Sequence, residues 1–214
     1  MSSDGKLLIL SGCAGSGKGT VLKELFELSD CFRTTVSLTT RSPRPGEKEG
    51  VSYFFTDRED FRRRIEAGEM AEYAEYCGNL YGTLKSEIRR LTDAGKVAVL
   101  EIETAGALQI MEKFPDHVSV FLVPPSYEEL EKRLRGRGTE TEEQLLGRMA
   151  KARKEVALSH RYQHLVINYD KKARESALAI KTIVLGGDPG DLFCECRSRD
   201  EFVKDFLKEE QNKE

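Results

Sequence analysis

Short apolar runs alternate along this chain with segments of helical periodicity. Each apolar run has little polar alternation and is followed within a few residues by a pattern of period near 3.6, which is typical of βαβ units. The strand and helix pairs that this pattern predicts are 7–10 with 18–28, 97–102 with 105–114, 118–123 with 127–134, and 165–168 with 171–185. Uniformly apolar strands joined by helices indicate a parallel sheet covered on both faces, so the predicted fold class is α/β.

Two segments interrupt this alternation. Residues 38–95 contain several Pro and Gly residues ahead of an aromatic strand predicted over residues 51–55, and they read as an inserted α+β subdomain. Residues 135–156 are rich in Arg, Glu and Gly. Within them, Thr141-Glu-Glu-Gln144 fits a capping box and predicts the start of a helix, which we interpret as a helical flap.

The C-terminal tail follows Gly186-Gly-Asp-Pro-Gly, a sequence that ends the preceding helix. Beyond it, residues 199–208 predict one short amphipathic helix with Phe202, Phe206 and Leu207 on one face. Packing of this helix onto the rest of the chain is the expectation.

A glycine-rich loop stands between the first predicted strand and the first predicted helix. Its sequence, Gly12-Cys-Ala-Gly-Ser-Gly17-Lys18, has the composition and the strand–loop–helix context of a phosphate-binding P-loop. Glycines let backbone N–H groups turn inward around a β-phosphate, the helix N-terminus adds positive potential, and Lys18 reaches the β and γ oxygens. A chance glycine-rich turn is the alternative, and the agreement of strand, spacing, lysine and helix disfavours it.

The residue after the P-loop lysine departs from the general motif. Gly19 stands where Ser or Thr usually supplies a hydroxyl to Mg²⁺, and Thr20 follows it. The metal ligands therefore stay open, with Thr20 and Glu101 as candidates that act through water.

Two acidic residues lie at the carboxyl end of the predicted strand 97–102, where ligands bind in open parallel sheets. Alternation along the strand places Glu101 and Glu103 on the same side. One carboxylate near magnesium and one near an acceptor nucleotide is the functional interpretation, whereas pairing with nearby Lys or Arg side chains is the alternative.

Arginines form two further candidate groups. Arg41 and Arg44 lie on a proline-stiffened loop, while Arg133, Arg137 and Arg148 lie in or beside the predicted flap. Phosphoryl transfer depends mainly on positioning and on stabilisation of charge on oxygen, which arginines supply. Any single arginine is more often a solvated surface residue.

Composition restricts the partners. The chain has 34 basic and 37 acidic residues and a formal net charge of -3, so no general attraction to nucleic acid polymers or anionic membranes is expected. No apolar signal segment precedes residue 7, and no stretch approaches the ~20 apolar residues of a membrane span, so we expect a cytosolic protein. Its 5 cysteines lack zinc-type spacing and are expected to be reduced thiols; metal binding by Cys194 and Cys196 with an outside partner is the alternative.

Several further motifs accompany the P-loop: Thr39-Thr-Arg-Ser-Pro-Arg44, Gly50-Val-Ser-Tyr53-Phe-Phe, Glu72 with Tyr73, Gly78-Asn-Leu-Tyr81-Gly-Thr83, Pro124-Pro-Ser126 and Arg135-Gly-Arg-Gly-Thr-Glu-Thr141. With these motifs the chain resembles guanylate kinases over nearly all of residues 6–185. The resemblance implies a P-loop core over 1–37, 96–134 and 157–190. It also implies a GMP-binding subdomain over 38–95 and a lid over 135–156, with a tail over 191–214.

The resemblance also implies roles for the candidate residues in transfer from ATP to GMP with Mg²⁺. The ATP-binding set would be Gly12, Cys13, Ala14, Gly15, Ser16, Gly17, Lys18, Gly19, Thr20 and Arg133. Arg41, Arg44, Tyr53 and Tyr81 would hold the acceptor phosphate, and Ser37, Glu72, Thr83 and Glu103 would read guanine. The catalytic residues would be Lys18, Arg41, Arg137 and Arg148.

Three positions depart from the family pattern, and two other functions stay open. Glu103 replaces a common Asp, Thr83 stands where Ser is common, and Ala105 stands where a larger polar residue is often found. A related kinase with another phosphorylated acceptor is one alternative. A module that binds phosphorylated partners without turnover is the other, and the intact P-loop disfavours it.

Overall fold

The computed structural model describes residues 5–136, 141–189 and 199–208. Its strands, in chain order, are β1 (Lys6–Gly12), β2 (Phe32–Thr34), β3 (Leu38–Thr39), β4 (Phe54–Phe55), β5 (Met70–Tyr76), β6 (Asn79–Leu84), β7 (Val97–Glu101), β8 (His117–Val123) and β9 (His164–Ile167). Its helices are α1 (Lys18–Leu28), α2 (Arg58–Glu66), α3 (Lys85–Asp93), α4 (Thr104–Lys113), α5 (Tyr127–Arg135), α6 (Glu142–Ala157), α7 (Ala173–Val184) and α8 (Arg199–Lys208), with a 3₁₀ turn at Leu158–Arg161.

Contacts divide the chain into two compact units. Unit 1 comprises Met1–Ile9 with Cys31–His117, and unit 2 comprises Leu10–Asp30 with Val118–Glu214. Strand β1 begins in unit 1 and ends in unit 2. The division into core, GMP-binding subdomain and lid stays a prediction.

Unit 1 contains two sheets. Strands β2, β7 and β1 are adjacent in that order, and β2 pairs with β7 in parallel. The second sheet has the order β4-β3-β6-β5, in which β6 runs antiparallel to both β3 and β5. Leu38, Met70 and Leu80 of this sheet form a buried cluster with Phe61 of α2. The mixture of strands and helices agrees with the α+β character predicted for 38–95.

Unit 2 contains parallel strands β8 and β9, with the order β1-β8-β9. Helices α1 and α7 pack together. Helix α1 begins and ends at the predicted residues, and the predicted capping box is present, because Thr141 and Gln144 each accept the other's backbone N–H. The α/β fold class is thereby confirmed, since both units carry parallel strands followed by helices.

The prediction for the aromatic strand over residues 51–55 was wrong in extent. Only Phe54 and Phe55 are in β4. The backbone N–H groups of Val51 and Ser52 donate to the carbonyl of Lys48 at 3.2 and 2.9 Å, forming a turn, and Gly50 has φ +69°. A tight turn therefore replaces the first part of the strand.

Helix α8 confirms the predicted tail helix. Phe202 and Phe206 are buried, and the Phe206 ring meets the Tyr127 ring edge-on at 5.9 Å. Arg153 of α6 donates to the carbonyl of Leu207 at 2.7 Å, which satisfies an otherwise unpaired acceptor at the C-terminal end of α8. Within the part of the chain that the structure describes, no helix is long and apolar enough to cross a membrane.

Candidate active site

The P-loop lies in unit 2, where β1 ends and α1 begins. Gly15 and Gly17 have φ of +83° and +89°, a conformation that residues with a side chain rarely adopt. Gly17 is the N-cap of α1, and the first turn, Lys18-Gly-Thr20, carries no acidic side chain that would offset the positive end of the helix dipole. The loop thus presents backbone N–H groups and positive potential at one place.

Lys18 folds back over this loop. Its Nζ donates to the carbonyl of Gly12 at 2.5 Å and lies 3.4 Å from the carbonyl of Cys13. The ammonium group is therefore held beside the phosphate-binding backbone. Cys13 itself is fully buried, and burial raises the pKa of its thiol to about 12, so it contributes main chain rather than thiolate chemistry.

Asn168 is a residue of this site that sequence reasoning missed. It follows β9 directly and is 5% exposed. Its Nδ2 donates to the carbonyl of Ser16 at 2.8 Å, and its Oδ1 accepts from the Ser176 hydroxyl at 3.2 Å. A Cβ on Gly17 would lie 2.5 Å from the same Nδ2, so the amide in this position leaves room only for glycine at 17.

Arg133 is fixed by the same residue. Its guanidinium donates to Glu129 at 2.9 Å and to the main-chain carbonyl of Asn168 at 2.9 Å. Asn168 thus connects the P-loop to a predicted ATP-side arginine. The one available sequence signal was the position of this amide at the carboxyl end of the strand predicted over 165–168.

A cavity of about 340 Å³ lies wholly in unit 1. Six predicted residues line it: Ser37, Tyr53, Glu72, Tyr81, Glu101 and Glu103. Ala105 and Gly106 of α4 complete the adjoining wall. Most of the predicted acceptor set is therefore brought together from segments far apart in sequence.

Glu72 is the most buried of the carboxylates in this cavity, at 5% exposure. Its Oε1 accepts from the hydroxyl of Thr83 at 2.8 Å, and Thr83 is fully buried behind it. Burial raises the pKa of Glu72 above its usual value, although the bonds to Thr83 act in the opposite direction. Such a carboxylate is a strong acceptor with few competing waters.

Arg41 lies beside the cavity, with its guanidinium carbon 5.3 Å from the centre of the Tyr53 ring. The Tyr53 and Tyr81 rings are themselves 6.2 Å apart. Arg41, Tyr53 and Tyr81 therefore form one cluster, while the side chain of Arg44 is exposed.

Glu47 is a second residue that sequence reasoning missed. Its two carboxylate oxygens accept hydrogen bonds from Arg41 Nη2 at 2.8 and 3.0 Å. The carboxylate also accepts a hydrogen bond from the backbone N–H of Arg44 at 2.8 Å. Hydrogen bonding to Arg41 lowers the pKa of Glu47. Its position 3 residues after Arg44, on the same loop, was the signal that could have indicated it.

The remaining predicted residues lie at the edges of these two sites or beyond them. Glu101 is the last residue of β7, and Glu103 is the N-cap of α4. Thr20 and Arg148 are exposed in unit 2. Arg137 lies outside the described residues.

Parallel strands followed by helices, with a glycine-rich loop between β1 and α1 and a lysine over that loop, define a P-loop protein. Comparison with known proteins makes the class specific. The family model of guanylate kinase matches residues 4–182. A guanylate kinase of Streptococcus thermophilus (strain CNRZ 1066) is 49% identical over 169 residues, which cover 78% of this chain and 81% of that protein.

Two further comparisons agree. A guanylate kinase of Streptococcus agalactiae serotype III (strain NEM316) is 50% identical over the same share of this chain and 81% of its own length. The crystal structure of guanylate kinase from Anaplasma phagocytophilum has a TM-score of 0.66 at 34% identity, covering 86% of this chain and 87% of that chain. This chain belongs to the guanylate kinase family.

Proposed function

We propose that this chain transfers the γ-phosphoryl group of ATP to GMP, giving ADP and GDP. The observation that carries the proposal is the buried carboxylate of Glu72 in a cavity beside Arg41, in a chain that also has a complete P-loop. The cavity suits a planar base and a phosphate, and the P-loop suits the donor.

Guanine would be read by Glu72 with support from Ser37, Thr83 and Glu103. Guanine offers N1–H and N2–H₂ donors on one edge, which a carboxylate accepts. Adenine presents an unprotonated N1 there, so AMP would leave a buried carboxylate facing a lone pair, which can discriminate by orders of magnitude. The bond from Thr83 anchors Oε1 of this carboxylate.

The acceptor phosphate would be held by Arg41, Arg44, Tyr53 and Tyr81. Arg41 is preorganised by Glu47 and by the Tyr53 ring, which reduces the entropy lost when phosphate binds. Because a phosphate oxygen is already an anionic nucleophile, alignment and exclusion of water replace a general base.

The donor would bind through the P-loop backbone from Gly12 to Thr20, with Lys18 on the β and γ oxygens. Arg133, which is held by Glu129 and by the Asn168 carbonyl, would also contact ATP. Arg137 and Arg148 would stabilise charge on the transferring group.

Mg²⁺ would accompany the nucleotide. Among residues 5–136, 141–189 and 199–208, no group of three His, Cys, Asp or Glu side chains could hold a metal ion. Mg²⁺ keeps most of its waters and its phosphate ligands, so the candidate ligands, Thr20 of unit 2 and Glu101 of unit 1, would each act through water. Bound to the nucleotide, the ion would neutralise charge on the phosphate oxygens.

The test is ADP formation by the purified chain with Mg-ATP and each of GMP, dGMP, AMP, CMP and UMP. We expect turnover selective for GMP and lost in Lys18→Ala, with Lys23→Ala on the same helix as the matched control. Turnover only with an acceptor other than GMP would contradict the proposal and indicate a related kinase with that acceptor. If GMP or a phosphopeptide binds but no acceptor is turned over, the enzyme function is excluded and the chain is a binding module.

A further inference from the structure

Gly106 lies in α4, directly beside the carboxylate of Glu72. A Cβ placed on Gly106 would lie 2.8 Å from Glu72 Oε2, 3.4 Å from Cδ and 3.7 Å from Cγ. No real Cβ contact is as short as the first of these distances, so a side chain at position 106 requires an atom to move. The atom nearest to it belongs to the proposed reader of guanine.

Helix α4 is held in place and cannot simply withdraw. Gln109 pairs with the backbone of Tyr73, accepting its N–H at 3.3 Å and donating to its carbonyl at 3.1 Å. Lys113 donates to the carbonyl of Ala71 at 2.9 Å. Positions 106, 109 and 113 lie on one face of the helix. This face contacts three consecutive residues of β5: Gly106 lies against Glu72, Gln109 bonds to Tyr73, and Lys113 bonds to Ala71.

The carboxylate of Glu72 is the mobile element in this contact. Its Oε1 is anchored by Thr83 at 2.8 Å, but side-chain torsions can turn Oε2 at small energetic cost, whereas a displacement of α4 would break three hydrogen bonds. A methyl group at position 106 would therefore shift Oε2 and leave the helix where it is.

Glycine in a helix loses more backbone entropy than alanine on folding, and Gly106 lies in the first turn of α4. Helix propensity therefore does not account for a glycine here, whereas a constraint that excludes a side chain does. The constraint visible in the structure is the Glu72 carboxylate.

We propose that Gly106 is a positioning residue for guanine recognition, whose missing side chain keeps Glu72 Oε2 directed at the base. The proposal rests on the proposed function, since it assumes that GMP occupies the cavity of unit 1. The proposal predicts opposite effects on stability and on binding. Gly106→Ala should improve the helix propensity of α4 and weaken the binding of GMP.

The experiment compares the wild type, Gly106→Ala and Gly147→Ala. Gly147 is the matched control, because it lies within helix α6 and a Cβ there would meet nothing within 4 Å. For each protein, the GMP dissociation constant is measured by calorimetry, the KM for ATP by initial rates, and the Tm by thermal unfolding.

For Gly106→Ala we expect an unchanged or higher Tm and an unchanged KM for ATP. The GMP dissociation constant should rise by about 10- to 100-fold, the value of one misdirected hydrogen bond to a charged group. Gly147→Ala should raise the Tm and leave the GMP dissociation constant unchanged.

A fall in Tm, failure to fold, or equal losses for ATP and GMP would show that Gly106 is only a packing residue and overturn the proposal. Unchanged GMP affinity would overturn it as well. If the wild type itself does not bind GMP, the proposed function fails first, and the two failures are thus distinguishable.

Discussion

The two sites of this protein are built from different parts of the polypeptide. In unit 2 the proposed donor site is mainly backbone, with glycines at φ +83° and +89° and the N-terminus of α1 arranged over consecutive residues. In unit 1 the proposed acceptor site is mainly side chains, and Glu72, Thr83 and Gly106 meet from three different elements. Phosphate is recognised by a local backbone shape, whereas a base is recognised by side chains that the fold must bring together.

Support by neighbouring residues also differs between the two sites. One buried residue, Asn168, supports the loop through its side-chain amide and Arg133 through its main-chain carbonyl. On the acceptor side, Glu47 braces Arg41, while Thr83 and Gly106 limit the position of Glu72. The following predictions separate the two sites, from the largest expected effect to the smallest.

Lys18→Ala should affect the donor site alone. Loss of the ammonium group removes charge stabilisation at the transferring phosphoryl group, so kcat should fall by about 10²–10³-fold or more. Calorimetry should give an unchanged GMP dissociation constant, and Lys23→Ala should retain full activity. Weakened GMP binding in Lys18→Ala would show that the two sites are not independent.

Glu72→Gln should affect the acceptor site alone. Two hydrogen bonds from guanine to a charged acceptor are weakened or reversed, so kcat/KM for GMP should fall by roughly 10²-fold, while the KM for ATP stays constant. Exposed Glu112 on α4 supplies the control Glu112→Gln. Retained selectivity for GMP over AMP would exclude Glu72 as the reader.

The same variant makes a prediction about pH. The folded-state pKa of Glu72 is raised, so folding favours its protonated form, and wild-type stability is lost as pH rises through that pKa. Glu72→Gln removes this effect and should therefore be more stable than wild type near neutral pH. The difference in Tm should shrink to nothing as pH falls below the usual glutamate pKa of 4.5; a difference that is independent of pH would contradict the assignment.

Asn168→Ala should weaken the donor site through its support. The carbonyl of Ser16 and the hydroxyl of Ser176 lose a buried partner, which should lower the free energy of unfolding by about 1–3 kcal/mol. Because the loop would be misplaced, the KM for ATP should rise about tenfold, which corresponds to the free energy of one such hydrogen bond. Initial rates should show an unchanged KM for GMP, and Ser176→Ala, which leaves the bond to Ser16 intact, should affect ATP little.

Glu47→Gln should have the smallest effect. The amide keeps one acceptor for Arg41 but loses the ion pair, so the KM for GMP should rise about three- to tenfold, within the range expected for loss of a charged partner. Exposed Glu66 on α2 provides the control Glu66→Gln. An increase in the KM for ATP instead would place Glu47 outside the acceptor site.

Prediction from the sequence succeeded where the determinants are local. Helix α1, the capping box at Thr141 and the tail helix over Arg199–Lys208 were all predicted from neighbouring residues. The aromatic strand was overestimated because apolar character at Val51 favoured extension, while the turn bonds to Lys48 prevailed. Local propensity is a weak guide where a tight turn competes with a strand.

The supporting residues could not be predicted in this way. Asn168 contacts Ser16 across 152 positions, and Gln109 contacts Tyr73 across 36. Nothing in the pattern around Gly106 indicates that a carboxylate lies against it, since that contact exists only once α4 packs on β5.

The amino-acid sequence by itself determined the alternation of strands and helices, the phosphate-binding loop and the chemical types of the candidate residues, because periodicity and backbone geometry act over a few neighbouring positions. Only the tertiary structure decided that Glu72 is buried against Thr83 and Gly106, that Glu47 holds Arg41, and that Asn168 braces the P-loop. Burial and side-chain distances depend on how distant segments pack, and packing fixes both the affinity of a carboxylate for protons and its direction toward a ligand.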